Sequence, residues 1–70
     1  MNMHAIRTNL FAELHRAVTR RNIARHSDNT KVMVWWEQQA RYLAAKLGTD
    51  LVELADRPGV LVPRIFTNMY

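Results

Sequence analysis

Apolar residues recur every three or four positions over the first third of the chain. Met3, Ile6, Leu10, Leu14, Ala17 and Val18 keep that step and Phe11 widens the stripe, the pattern of an amphipathic helix over about residues 3–25. The stripe breaks at Arg21, which stands where the next core residue is due. Arg16, Arg20, Arg21 and Arg25 crowd the last turns, where cations favour the negative end of the helix dipole. "HSDNT" then interrupts the pattern. Ser27, Asp28, Asn29 and Thr30 are all good turn or N-cap residues, so several starts for the next helix are open. Ile23, off the stripe, is expected to pack against this junction.

The second helix is expected over residues 29–47. Gly48 follows it and can take the left-handed conformation that ends a helix without strain. So short a connection makes the two helices antiparallel neighbours. On a wheel of 3.6 residues per turn, Trp36, Ala40, Leu43 and Leu47 share one line, flanked by Val32 and Met33. That line is the expected contact with the first helix. Trp35 falls about 100° away, with Gln39, Tyr42 and Lys46, and Val34 points away from the core. The run "VMVWW" therefore makes the first turns apolar all round, and such helices are generally buried on more than one side.

Beyond Gly48, "TDLVELADRPG" predicts a short third helix, with Asp50 and Glu53 spaced as a capping box and Pro58-Gly59 as its stop. The tail "VLVPRIFTNMY" carries Val60, Leu61, Val62, Ile65, Phe66 and Tyr70. It is expected to lie extended over the hairpin, with Pro63 preventing regular pairing, or to form a short final helix from Pro63. The predicted fold class is all-α: a single domain built as an antiparallel helical hairpin, with a short third helix and an extended or short-helical tail, and homodimeric.

Size gives the dimer expectation its force. A chain of 70 residues buries only about 60% of the surface it exposes when unfolded, and its core supplies roughly 3–5 kcal/mol. There is no cysteine, which excludes disulfides and thiolate metal sites and leaves a second subunit as the common supplement. Covering one more tryptophan is worth about 3 kcal/mol at 25 cal/mol per Å2, comparable to the whole net stability. Val32, Val34, Trp36 and Leu43 are the candidate dimer or core interface. Trp35, Gln39, Tyr42 and Lys46 are the candidate partner-binding ridge, rich in the residue types of interface hot spots.

Ten Lys/Arg against six Asp/Glu give a net charge of +4, which favours acidic partners, either nucleic acid or an acidic protein face. Arg16, Arg20, Arg21, Arg25 and Lys31 form the candidate nucleic-acid cluster. "ARYLAAKLGTDLVELADR" also resembles a helix-turn-helix unit, with Ala44, Leu47, Gly48 and Leu54 at its small, apolar, turn-glycine and apolar positions. It departs from that motif in offering Asp50, Glu53 and Asp56 where a recognition helix needs donors and cations, and in its early stop at Pro58.

Chemistry finds little purchase. His4, His15 and His26 stand eleven residues apart, on one side of the first helix but about 16 Å apart per step, too far to share a metal ion. Glu13, Glu37, Asp50, Glu53 and Asp56 are scattered, and no histidine, serine and acid are brought together. Gly48 and Gly59 stand alone, so no phosphate-cradling loop exists. The expectation is a non-enzymatic protein with no cofactor and no metal. No run reaches the roughly 20 apolar residues of a membrane span, and the N-terminus lacks the apolar stretch of a secretory signal, so a cytoplasmic protein is expected. The leading expectation is an interaction module that binds and modulates, as an inhibitor, a larger protein such as a host transcriptional regulator or enzyme. In size and charge it is similar to phage- and plasmid-borne accessory inhibitors. The alternatives are a small DNA- or RNA-binding regulator using the arginine cluster and a structural subunit of a larger assembly.

Overall fold

The structure, a computed structural model, describes residues 3–69, with side chains described over residues 9–67. Met3, His4 and Ile6, expected on the first helix, and Tyr70, expected in the tail, lie outside the described side chains or residues. The elements are α1 (Met3–His26), α2 (Thr30–Lys46), β1 (Leu51–Leu54), β2 (Arg57–Pro63) and a closing 3-10 helix (Arg64–Met69).

The helical hairpin forms where the hydrophobic pattern puts it. Leu14, Ala17 and Val18 of α1 meet Ala40, Ala44 and Leu47 of α2 in the core, with Leu51 closing one end. Much of the seam is alanine, so the helices approach closely and the larger side chains, Phe11, Trp36 and Leu43, pack at its margins. "HSDNT" divides its labour. Asn29 N–H donates to the Ala24 carbonyl and Asp28 N–H to the Arg25 carbonyl, the paired bonds of a Schellman motif, with Asp28 at the left-handed position (φ 57°). Asn29 is then the N-cap of α2, its side chain accepting from Val32 N–H. Thr49 and Gly48 (φ 73°) close α2 in the same way, donating to the carbonyls of Ala44 and Ala45.

The third helix does not form, and the fold is not all-α. Residues 51–54 are a strand that pairs antiparallel with β2. The reason is non-local. Between Gly48 and Pro58 there is room for about two turns, too short to be stable alone. Pairing with "VLV" in the tail satisfies both backbones and brings Leu51 and Leu61 to the core. The resemblance to a helix-turn-helix unit fails with it, because the would-be recognition helix is this hairpin.

Pro63 ends β2 opposite Leu51 and does not prevent pairing. Arg64 N–H donates to the Asp50 carbonyl, while Leu61 N–H and carbonyl both turn away from β1 to the Asn22 side chain. Asp50–Arg64 and Val52–Val62 are therefore the hydrogen-bonded pairs. Leu51–Pro63 falls between them, where an outward N–H is not needed. The expectation of a short final helix from Pro63 is met by the 3-10 helix, whose Phe66 ring lies 6.0 Å from that of Phe11.

Pairing jumps from Glu53↔Leu61 to Leu54↔Arg57, so Pro58, Gly59 and Val60 bulge out of β2. Side chains answer for the freed backbone. Gly59, at φ 87°, donates its N–H to Glu53 Oε1 at 2.6 Å, and its carbonyl accepts from Arg21 Nη1 at 2.6 Å. The Arg25 guanidinium occupies the space a Cβ at Gly59 would take.

Candidate interaction face on the helical hairpin

Arg21 interrupts the core stripe because it is a core residue of another kind. It is only 7% exposed, and its Nε donates to Glu37 Oε1 at 2.9 Å while Nη1 reaches Gly59. One planar fork thus ties α1 to both α2 and the bulge. Glu37 also takes Arg41 one turn on, at 3.3 Å. Next to Arg21, the Asn22 amide donates to the Leu61 carbonyl at 2.8 Å and accepts from Leu61 N–H at 3.1 Å, acting on β2 as a third strand would. Sequence reasoning missed the Arg21–Asn22 clamp; a charge placed on the core stripe was its one visible sign.

The candidate arginine cluster is accordingly divided. Arg21 is internal, and Arg25 lies against the bulge. Arg16, Arg20 and Lys31 are exposed, and Arg20 sets its guanidinium 5.1 Å over the Trp36 ring. The four residues proposed for a dimer or core interface also divide. Trp36 and Leu43 pack against this chain's own core, while Val32 and Val34 remain exposed.

The candidate ridge stays together on α2. Trp35 is 53% exposed and Tyr42, two turns on, 59% exposed. Gln39 lies between them, half-buried, and the Lys46 ammonium sits 4.7 Å over the Tyr42 ring. Trp36 holds Trp35 edge-on, the ring centroids 4.7 Å apart and the planes at 87°, a favoured aromatic geometry. Beside Trp35 a cleft of about 190 Å3 opens between the helices, floored by Ala17 and Leu43 and rimmed by Glu13, Arg16 and the two indoles.

A second groove, about 360 Å3, lies between α1 and β2 over Val18 and Val62, with His15 and His26 along it. Ile23, expected to pack at the helix junction, is instead 60% exposed at its edge. Three of the acids are committed to structure: Glu37 to two arginines, Glu53 to Gly59, and Asp50 to a two-pronged pair with Arg64 at 2.7 and 3.0 Å. The hydrogen bonds from Arg64 hold the Asp50 carboxyl below its ordinary value of 3.8. Among the described residues no set of three or more His, Asp or Glu is grouped to hold a metal ion, and no helix is long and apolar enough to cross a membrane.

No protein-family model matches the chain, and no curated protein or solved structure is significantly similar to it.

Proposed function

We propose that this chain is a non-enzymatic interaction module that binds a larger protein through the α2 ridge of Trp35, Gln39, Tyr42 and Lys46, and modulates that protein by occupying its surface. One observation carries the reading: Trp35 and Tyr42 stand more than half exposed, seven residues apart on one helix face. Two large aromatic side chains left in water forgo several kcal/mol of available burial, and Trp and Tyr are the residues that anchor interfaces. They are also presented rigidly. Trp36 supports the one ring and Lys46 the other, so little side-chain freedom is lost on binding.

Affinity capture from nuclease-treated host lysate tests the reading. Capture of a specific protein is expected with the native chain and is lost with Trp35→Ala and with Tyr42→Ala, while the far-UV circular dichroism of both variants stays unchanged. Capture that is indifferent to both substitutions contradicts the reading.

A further inference from the structure

The ridge lies on a face with one sign of charge. α2 carries Lys31 and Lys46 along the ridge, both exposed, while its single acid, Glu37, turns to the other flank, where Arg21 and Arg41 hold its carboxylate. Across the cleft, α1 adds exposed Arg16 and Arg20, with Glu13 as the one acid on the rim. The cleft itself is small. At about 190 Å3 it falls below the roughly 300–1,000 Å3 of small-molecule sites and suits one aliphatic or aromatic side chain.

We propose that the occupant of this face is an acidic amphipathic segment of a partner protein. One of its apolar side chains sits over Ala17 and Leu43 against Trp36, and its carboxylates meet Arg16, Lys31 and Lys46. This inference rests on the interaction role proposed above and specifies the chemistry of the partner.

Two other occupants fit less well. A second copy of the chain can stack its Tyr42 on Trp35 by an antiparallel two-fold, since the positions sum to 77. The same operation sets Lys31 against Lys46 of the second copy at both ends, and like charges in register oppose association. A nucleic acid finds the ring faces partly taken, with Arg20 over Trp36 and Lys46 over Tyr42, whereas base stacking needs them open. It also meets the Glu13 carboxylate at the cleft and finds Arg21 withdrawn into the protein.

The test pans a random peptide library against the full chain at low and raised salt. The expected peptides are net acidic with a recurrent apolar anchor. A synthetic representative binds more weakly as salt rises, and loses about tenfold in affinity with Trp35→Ala and, separately, with the Lys31→Glu/Lys46→Glu pair, which keeps both rings. Neutral or basic peptides that still require Trp35 overturn the acidic-partner inference and leave the interaction role standing. Peptides that bind Trp35→Ala and Tyr42→Ala as tightly as the native chain overturn both, as does the absence of any enrichment. A Trp35-dependent dimer in sedimentation, or a single-stranded oligonucleotide that displaces the peptide, gives the face a different occupant and overturns the inference.

Discussion

Arg21 shows how one side chain can decide a small fold. Its guanidinium serves an acid on α2 and a bulged carbonyl on β2, so removing it leaves Glu37 to the longer, exposed Arg41 contact and takes the side-chain donor from the Gly59 carbonyl. Breaking such a pair costs about 3–5 kcal/mol when fully buried. Glu37 keeps 27% of its side chain exposed, which places Arg21→Ala nearer 2–4 kcal/mol. Arg21→Lys should recover only part of that loss, because a single ammonium lacks the fork that reaches both acceptors. Urea midpoints of the two variants check both statements. Trp35 is the opposite case. Already half exposed, it should cost less than about 1 kcal/mol when cut to Ala, so its loss separates binding from stability. From sequence, Trp35 and Tyr42 were legible as an exposed ridge because wheel geometry places them off the core line. Arg21 was not, since a buried arginine is recognised only by partners sixteen and thirty-eight residues away.

Among the elements, the two helices follow from periodicity and their stops from local chemistry, which is why Gly48 was readable in advance. The junction after α1 is less well served. Asp28 holds a left-handed φ of 57° that glycine would adopt without strain, and its carboxylate stands at the negative end of α1. Asp28→Gly should therefore raise stability by about 0.5–1 kcal/mol. Gly48→Ala should lower it by about 1 kcal/mol from backbone strain alone, since an added Cβ meets nothing within 4 Å. Thermal melts of both variants give the signs. The β-hairpin was illegible for a different reason. Asp50 and Glu53 have the spacing of a capping box, but Asp50 pairs with Arg64 and Glu53 caps the bulge at Gly59, and neither partner is local. The Asp50–Arg64 pair also sets a pH dependence. Its carboxyl lies below its ordinary value in the folded chain, so its contribution is complete above about pH 4 and lost as pH falls through the lowered folded value. Asp50→Asn should flatten that part of the acid limb in a stability-versus-pH series.

At the scale of the whole molecule, the chain measures 40 × 25 × 14 Å, little more than one helix thick in its shortest dimension. A slab of that kind cannot enclose large side chains on both sides. Alanine fills much of its seam, and the tryptophans fall to the margin, one half-buried and one in water. The sequence posed that difficulty through "VMVWW", and the β-hairpin does not resolve it, because β2 packs along α1 and leaves Trp35 open. Net positive charge likewise concentrates on the helical face, while Asp50 and Glu53 are spent within the hairpin. The most direct measurement uses a Trp36→Phe variant, in which Trp35 is the sole indole, and follows its fluorescence at concentrations where the chain is monomeric. The account predicts water-like, red-shifted emission that acrylamide quenches freely, and protection from quenching once an acidic amphipathic peptide binds. A blue-shifted, shielded indole in the free monomer would contradict it.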